Sequence, residues 1–473
     1  MAGIVLRRSG VIAAVLALAV LAPVAVAWYS SLLPARLDMA TTGRPDLGGG
    51  AAPVGPARAV PTLTGPAVGT PDVDVTLTAR REGTRYTLNG SSPGPQIQAV
   101  EGQLVQVKLV NESVAGGVTL HWHGLDVPNA EDGVAGVTQD AVPIGGEHVY
   151  RFVARSPGTY WYHSHQVAHD QVVRGLLGPL VIVPRAGLGA TTDVTALVHI
   201  YDGVRTIDGI AGDHAVEAAA GATVRLRVIN TDNGAGAVWI SGAPFRVVAV
   251  DGVDVHGGAD VQGVGVLVTA GGRADLQVTV PPGGVRLETG TAALVVGPAG
   301  SNPQATPRPA GNVDLLTYGT PAPLPFDATR PDRRFGYAIG RAPGFLDGVP
   351  GVWWTINGEH YPDEPMFMVG EGDVVVMHVS NDSGEAHPMH LHGHHAVVLA
   401  RNGVAATGSP WWFDSLEVGN GESYDVALRA DNPGVWMDHC HNLQHARDGL
   451  VTHLMYANVT TPFRIGDHEN TPE

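Results

Sequence analysis

The feature that most constrains this 473-residue chain is an internal repeat that relates its first and last thirds. Tyr86-Thr-Leu-Asn-Gly90 is echoed by Trp354-Thr-Ile-Asn-Gly358, and PQIQAVEGQLVQVKLVNES (95–113) is echoed by PMFMVGEGDVVVMHVSNDS (365–383). His121-Trp-His-Gly124 parallels His390-Leu-His-Gly393, and PGTYWYHSHQVAHDQVVRGL (157–176) parallels PGVWMDHCHNLQHARDGL (433–450). Because the matching segments follow in the same order, the first and last thirds are predicted to be two copies of one domain.

Short alternating strands separated by turn residues dominate the chain from Asp72 onward, for example TVRLRVI and DVVVMHV. With 63 Gly and 35 Pro, the connections are expected to be short and numerous. This pattern predicts an all-β protein built from β-sandwiches. The middle third, about 190–320, keeps the strand pattern but has no histidine pair, so it is predicted to be a third sandwich that acts mainly as a spacer.

These patterns predict a division of the chain into five parts. Residues 1–34 form the N-terminal segment, predicted to be a signal peptide or a membrane anchor. Residues 35–71 are rich in Gly, Pro and Ala and are predicted to be a flexible linker. The three predicted sandwich domains then occupy residues 72–187, 188–325 and 326–473.

The N-terminal segment has the features of an export signal. Arg7 and Arg8 precede an uncharged, mostly apolar run, and Ala25-Val26-Ala27 resembles a small-residue cleavage site. The segment is predicted to be a secretory signal cut after Ala27. The alternative is an uncleaved membrane anchor, because the run from Gly10 to Leu33 is just long enough to span a bilayer. In both cases the body is expected outside the cytoplasm, as a secreted, periplasmic or membrane-anchored protein.

The formal charge of −17 and the absence of a Lys/Arg cluster in the body argue against nucleic acid as a partner.

Histidine is concentrated in four His-x-His pairs, which supply eight imidazoles. In a strand, residues i and i+2 point to the same face, roughly 6.6 Å apart, so one pair can reach two neighbouring metal ions. Imidazole suits copper, zinc, iron or nickel. A single such pair is more often a surface or core feature, but four pairs placed symmetrically in two repeats predict a metal cluster. The pairs are His121/His123, His163/His165, His390/His392 and His439/His441.

Cys440 is the only cysteine of the chain, and it lies between His439 and His441. Its side chain should therefore point to the opposite face of that strand. His445 follows five residues later and His387 lies on the matching strand. One thiolate and two imidazoles are the ligand set of a blue-copper electron-transfer site. The arrangement indicates an electron relay, because a few covalent bonds would join the thiolate to the histidines of the cluster.

The first repeat lacks this thiolate site. Ser164 takes the position of Cys440, and Val118 takes that of His387. His169 mirrors His445 but has lost its partners, so it is predicted to be a leftover or a hydrogen-bonding histidine and not a ligand.

Together the motifs HWHG, HSH, HPMHLHGH and HCHNLQHARDGL resemble those of the multicopper oxidases, the family of laccases and their bacterial relatives, over about residues 72–465. The resemblance implies three cupredoxin-like Greek-key sandwiches and four copper ions per chain. His387, Cys440 and His445 would bind the mononuclear blue copper, and His121 and His390 the single copper of a trinuclear cluster. The remaining six ligands would bind its coupled pair: His123, His163, His165, His392, His439 and His441.

The family reaction implied by this resemblance is oxidation of a small-molecule or metal-ion electron donor, one electron at a time, with dioxygen reduced to water. Asp132, shortly after HWHG, resembles the acidic residue that relays protons to oxygen in the family, although a solvated loop acid is the alternative. Leu450 stands where many members have an axial methionine, a change expected to raise the potential of the blue copper. A laccase-like phenolic or aromatic donor is therefore predicted.

Several alternatives remain open at this stage. One is a cuprous-ion oxidase, although the chain has only eight methionines and no Met-rich segment. Others are a non-catalytic cupredoxin-fold protein, a copper-storage protein and a copper nitrite reductase. The stretch Gly408–Asp414, with two adjacent tryptophans, is predicted either to pack in the core or to stack on an aromatic donor.

Overall fold

The computed structural model describes residues 2–473, and the first described element is a helix. The helix α1 (Ala2–Ser30) is followed by two short strands, β1 (Arg44–Asp46) and β2 (Arg58–Ala59), and by one 3-10 turn, Val60–Thr62. The stretch Val11–Ser30 is long and apolar enough to cross a membrane, and its described side chains are exposed. Such a helix is compatible with a signal sequence or an anchor.

The first third forms two four-stranded sheets, ordered β4-β3-β6-β8 and β5-β10-β9-β7. They enclose a core that includes Trp122, Tyr150 and Phe152, all fully buried. The elements are β3 (Val73–Glu82), β4 (Arg85–Leu88), β5 (Ile97–Val100), β6 (Leu104–Asn111), β7 (His121–His123), a 3-10 turn (Asn129–Glu131), β8 (Glu147–Val153), β9 (Gly158–His163), α2 (Ala168–Gln171) and β10 (Leu177–Val183).

The middle third forms a second sandwich, with sheets ordered β13-β12-β11-β15-β20-β17-β18 and β14-β22-β21-β16-β19. Its core consists largely of Val, Leu and Ile, as the alternating pattern predicts. The strands are β11 (Thr192–Tyr201), β12 (Val204–Ile207), β13 (Ile210–Ala211), β14 (Asp213–Glu217), β15 (Thr223–Asn230), β16 (Gly236–Ser241), β17 (Phe245–Val250), β18 (Val253–Asp254), β19 (Val266–Val268), β20 (Arg273–Thr279), β21 (Val285–Glu288) and β22 (Ala293–Gly297).

The last third repeats the architecture of the first, with sheets ordered β24-β23-β26-β32-β28-β29 and β1-β25-β34-β33-β27-β31; β30 pairs with β28. Its elements are β23 (Arg333–Leu346), β24 (Val349–Ile356), β25 (Pro365–Val369), β26 (Val374–Asn381), β27 (His387–Leu391), β28 (Ala396–Arg401), β29 (Val404–Ala405), β30 (Trp411–Phe413), β31 (Ser415–Val418), β32 (Ser423–Arg429), β33 (Val435–Cys440), α3 (Leu443–Arg447), β34 (Val451–Tyr456) and β35 (Val459–Thr460).

The sequence repeat is thus also a structural repeat. Parallel pairing of β3 with β6 is matched by β23 with β26, and the parallel pair β5–β10 is matched by β25–β34. Asn89 and Asn357 both adopt a positive φ at the turn of a hairpin, which is the reason for the repeated Asn-Gly. The prediction of an all-β fold made of sandwiches is confirmed.

The prediction that residues 35–71 form a flexible linker is wrong. β1 pairs in parallel with β25, and β2 pairs with β35, so the segment is bound along the last third. Met39 and Val60 are buried in the core of that third. Gly/Pro-rich composition is typical of linkers, but backbone hydrogen bonds to a sheet edge need no apolar alternation, and the composition therefore did not reveal this packing.

Candidate metal centres

Two strand pairs, one from each repeat, carry the eight paired histidines to one place. In the first third β7 lies beside β9, with His121 opposite His163; in the last third β27 lies beside β33, with His390 opposite His439. Period-2 alternation turns each pair toward the other repeat. All eight side chains are buried, and the rings of the two repeats interleave: His121 stacks on His392 at 3.8 Å between centroids, and His123 stacks on His390 at 3.7 Å.

Several ring nitrogens lie close enough together to share a metal ion, in groups that follow the predicted division of ligands in part. Nε2 of His121 lies 3.5 Å from Nε2 of His390, the two residues predicted to share one copper. Nε2 of His439 lies 3.4 Å from Nε2 of His165 and 3.2 Å from Nε2 of His392, so these three can hold one ion. The rings of the last three predicted ligands, His123, His163 and His441, lie 4.9–5.6 Å apart.

The hydrogen bonds of these rings leave lone pairs free for a metal. Nδ1 of His163 donates to the carbonyl of Ser164 at 2.9 Å, and Nδ1 of His390 donates to that of Asp414 at 2.9 Å. A ring that donates through Nδ1 presents a bare Nε2, the usual arrangement of a metal-binding histidine. Nε2 of His163 and both nitrogens of His441 are buried without any partner in the described residues. Since buried polar atoms are normally paired, the site fits a metal cluster.

Burial also favours the neutral form of three of these imidazoles. Desolvation, followed by the neighbouring rings, holds the pKa of His165, His392 and His439 well below its usual range. A neutral imidazole is the form that binds a metal.

Cys440 lies on the other face of β33, as alternation predicts, and meets the two predicted partners there. Its Sγ is 3.6 Å from Nδ1 of His387 and 3.7 Å from Nδ1 of His445, and these two nitrogens are 3.2 Å apart. The triangle matches the trigonal thiolate–imidazole set that suits copper. Cys440 and His387 are fully buried, whereas the His445 side chain is 12% exposed and is the point nearest to solvent.

The surroundings of His445 include residues that the sequence did not single out. Trp354 packs against His445 and His387, with ring centroids 4.6 and 4.8 Å apart, and Arg341 lies over Trp354. Oε2 of the exposed Glu385 lies 3.5 Å from Nε2 of His445. The first-repeat position of Trp354 is Tyr86, so the repeat itself offered a signal for an aromatic residue here.

Asp132 lies between two ligands of the predicted cluster. One of its carboxylate oxygens is 3.1 Å from Nδ1 of His121, and the other is 3.1 Å from Nδ1 of His392. The side chain is buried, so the alternative of a solvated loop acid is wrong. Its predicted role as a proton relay stays a prediction.

The middle third is more than the predicted spacer. Nη1 of Arg273, on β20, donates to Oδ1 of Asp414 at 2.6 Å, and Nε donates to the carbonyl of Thr159 at 3.0 Å. Arg273 therefore joins all three thirds. Oδ1 of Asp414 also lies 3.2 Å from Nε2 of His123. Burial alone would raise the pKa of Asp414, but Arg273 and the histidines outweigh burial and hold that pKa well below its usual range.

A glycine of the middle third also makes close contact with the cluster. Gly271 has φ +78°, and a Cβ there would lie 2.6 Å from Cε1 of His123. Only glycine can approach the rings so closely.

The C-terminal segment is a further neighbour of the cluster that sequence reasoning missed. Oε1 of Glu473 lies 3.3 Å from Nδ1 of His439 and 3.8 Å from Nε2 of His165. Oδ1 of Asn470 accepts from the backbone N–H of Ala141, which fixes the segment between the repeats. A glutamate 34 positions beyond its histidine carries no local signal in the sequence.

Three other predicted positions have plain structural roles. Among the described residues, His169 does not join either group of metal-ligating side chains. Leu450 is fully buried, and its carbonyl accepts the N–H of Cys440 at 3.1 Å. Trp411 and Trp412 are half-buried, and Trp412 packs edge-on against Phe326, which favours packing over donor stacking.

Comparison with known proteins agrees with this geometry. Two family models, both described as multicopper oxidase, match residues 71–187 and 340–459. The chain belongs to the multicopper oxidase family. It is accordingly a copper-dependent oxidoreductase that takes electrons from a donor and uses dioxygen as the acceptor.

The relatives of this multicopper oxidase differ in what their names report. Laccase-1 of Botryotinia fuckeliana is 28% identical over 81% of this chain and 81% of its own length. Multicopper oxidase MmcO of Mycobacterium tuberculosis is 28% identical over 78% of this chain and 82% of its own length. A solved multicopper oxidase from Pseudomonas thermotolerans is 26% identical with a TM-score of 0.66, covering 81% of this chain and 99% of its own. Other relatives carry names that refer to iron transport and copper resistance.

Proposed function

We propose that this multicopper oxidase oxidises phenolic or aromatic donors, in the manner of a laccase, at the face formed by His445, Glu385 and Trp354. The main support for this proposal is the carboxylate of Glu385, which is half exposed and lies 3.5 Å from Nε2 of His445. A carboxylate at that position can accept the O–H of a phenol, and the buried Trp354 packs against the His445 ring behind it. The body would act outside the cytoplasm, as the apolar helix Val11–Ser30 is compatible with a signal or an anchor.

We propose the copper ligands by residue in the same terms. His387, Cys440 and His445 would hold one copper, and His121 and His390 a second. The coupled pair would be held by the other six: His123, His163, His165, His392, His439 and His441. Bound there, copper supplies one-electron transfer at the thiolate site and dioxygen reduction at the histidine cluster.

The residues around the two metal centres provide an electron path, orient the ligands and exclude water. The peptide bonds from Cys440 to His439 and His441 form a short covalent path from the donor face to the cluster. Asp132 accepts from His121 through its backbone carbonyl and from His392 through its carboxylate. Asp414 likewise accepts from His390 through its carbonyl, and its carboxylate lies 3.2 Å from Nε2 of His123, so the two aspartates orient four of the rings. Burial of the eight rings excludes bulk water from the site of oxygen reduction.

Substituting Glu385 tests the donor assignment. In Glu385→Gln, with copper loaded, the KM for 2,6-dimethoxyphenol should rise roughly three- to tenfold. The amide oxygen of Gln can still accept a hydrogen bond, but the negative charge that adds about 1 kcal/mol to it is lost. The visible absorption and kcat should change little, because no ligand is altered. Glu385 is also ion-paired with Arg341, Oε1 to Nη1 at 3.1 Å, so Glu112→Gln, at a half-exposed glutamate paired with Arg80, is the matched control. An unchanged KM in Glu385→Gln would contradict the donor assignment.

Metal-ion oxidation is the second candidate, and it has one supporting observation. Asp448 adds a second negative charge near His445, so Glu385 and Asp448 could attract a cuprous or ferrous ion. Six of the eight methionines are buried and Met368 is half-buried, which argues against a surface site for cuprous ions lined by methionine. If Glu385→Gln impairs oxidation of ferrous or cuprous ions and leaves phenol oxidation intact, the second candidate replaces the first.

A further inference from the structure

The end of α1 is attached to the hairpin that carries Trp354. The hairpin consists of β23 and β24, and its tip is Asp347-Gly348. The N–H of Asp347 donates to the carbonyl of Ser31 at 3.1 Å, and the N–H of Gly348 donates to Oγ of Ser31 at 3.2 Å. The N–H of Leu33 donates to Oδ1 of Asp347 at 3.1 Å. These three bonds fix the position of the apolar helix relative to the donor face.

The surface around this attachment is apolar and exposed. Val349 and Val352, on the hairpin beyond the tip, are 55% and 62% exposed, and Trp28 on the helix is 45% exposed. The 20 residues Val11–Ser30 would span about 30 Å, the thickness of the hydrocarbon layer. Exposed valines and a tryptophan at the end of such a helix fit the boundary between bilayer and water.

A cleft of about 670 Å³ separates the helix from the hairpin. Val24 and Ala27 line it on the helix side, and Phe345 and Pro350 line it on the hairpin side. His360 and Tyr361 are also among its walls. The cleft is open to solvent, and its walls combine apolar side chains with a few polar groups, the combination that small-molecule sites use.

The cleft adjoins the segment that holds His445. The Cβ of Tyr361 would lie 3.2 Å from a Cβ placed on Gly449, so the two residues are in contact. Gly449 directly follows the turn after α3, and the N–H of the next residue, Leu450, donates to the carbonyl of His445 at 2.9 Å. A ring in the cleft would therefore be separated from the electron-accepting site by Tyr361 and this turn.

We propose that α1 remains as a membrane anchor and that the cleft between α1 and the β23–β24 hairpin binds a lipid-soluble hydroquinone, which enters from the bilayer. This proposal rests on the proposed function, because it names a class of aromatic donor for the same electron-accepting site. Each hydroquinone loses two electrons, one at a time, and two protons to become a quinone. Two hydroquinones and one dioxygen therefore give two quinones and two waters.

The polar groups of the cleft suit this donor. Nε2 of His360 donates to the carbonyl of Ala342 at 3.2 Å, which leaves Nδ1 as an acceptor for a ring hydroxyl. Glu359 is at the rim in an ion pair with Arg44 and offers a second acceptor. The two ring protons leave to these acceptors and pass to water at the rim. The apolar walls match the isoprenoid or alkyl tail that keeps such donors in the bilayer.

The test uses the full-length, copper-loaded protein in lipid nanodiscs, with decyl-ubiquinol as donor and 2,6-dimethoxyphenol as the water-soluble reference. We expect oxygen uptake with both donors and one dioxygen consumed for two quinols. In His360→Ala the KM for the quinol should rise roughly three- to tenfold, the effect of one lost hydrogen bond, while phenol kinetics stay unchanged. His378→Ala, an exposed histidine outside the cleft, is the matched control.

Binding supplies a readout that is independent of turnover. Calorimetric titration with the oxidised decyl-ubiquinone should show binding to the wild-type protein and weaker binding to His360→Ala. Phenol oxidation without quinone binding or quinol oxidation overturns this proposal and leaves the proposed function standing. Failure with both donors rejects the proposed function itself. A mature chain that begins at Trp28 in the producing cell also overturns the proposal, because the anchor would be gone.

Discussion

The first and last thirds share one backbone frame but differ at the position between their paired histidines. The N–H of Ser164 donates to the carbonyl of Leu176 at 3.0 Å, and the N–H of Cys440 donates to that of Leu450 at 3.1 Å. In the first third, however, Oγ of Ser164 bonds to Gln171 at 2.6 Å. In the last third the thiol meets His387 and His445 instead. The same backbone frame can therefore bury a hydrogen-bonded hydroxyl or provide metal ligands, depending on two side chains: Ser164 against Cys440 and Val118 against His387.

Exchanging the residues at this position should have the largest effect. Cys440→Ser should abolish the visible absorption and reduce oxygen uptake with a phenol to the background rate, because the last third then lacks the thiolate ligand. Ser164→Cys should keep both signals at the wild-type level and add no second blue centre, since Val118 cannot coordinate. Absorption spectra and an oxygen electrode provide both measurements. A Cys440→Ser protein that stays blue would refute the assignment of the thiolate.

The features predicted from the sequence were those with a local or repeated pattern. Alternation along β33 was sufficient to predict that Cys440 and His439 face opposite ways, and the repeat predicted which histidines would meet. Arg273 and Asp414 gave no such signal, because they are 141 residues apart and only the tertiary fold brings them together. The same is true of Glu473, and of residues 35–71, whose strands are held by backbone bonds to β25 and β35.

The two thirds also differ in how they attach to the middle third, and breaking that attachment should have the next largest effect. In Arg273→Met, Asp414 is left as a buried charge without its main partner, which should lower the free energy of unfolding by about 3–5 kcal/mol. Urea unfolding of the full chain measures this loss. Arg80→Met, which removes an exposed pair with Glu112 in the first third, should cost no more than about 1 kcal/mol. Equal losses in the two variants would show that Arg273 does not bridge the thirds energetically.

The smallest expected effect concerns a position where the repeats differ in charge. Glu364 is buried in the last third, whereas the matching residue of the first third is Gly94. Burial, followed by the nearby Asp363 and Glu359, raises the pKa of Glu364 well above its usual range. The folded state therefore favours the protonated acid. Its contribution to stability is complete below the unfolded-state pKa of about 4.3 and is lost as the pH rises through the folded-state pKa.

Glu364→Gln should remove this pH dependence, because an amide has no charge to bury. We expect the variant to be less sensitive than the wild type to a rise from pH 5 to pH 8, and to gain about 1 kcal/mol relative to it at the upper end. Thermal unfolding across that pH range measures the difference. Glu112→Gln, at an exposed glutamate of the first third, is the control and should leave the pH profile unchanged. If the stability of the wild type and of Glu364→Gln changed with pH in the same way, ionisation of Glu364 would cost the last third no stability. The difference from Gly94 in the first third would then have no consequence for folding.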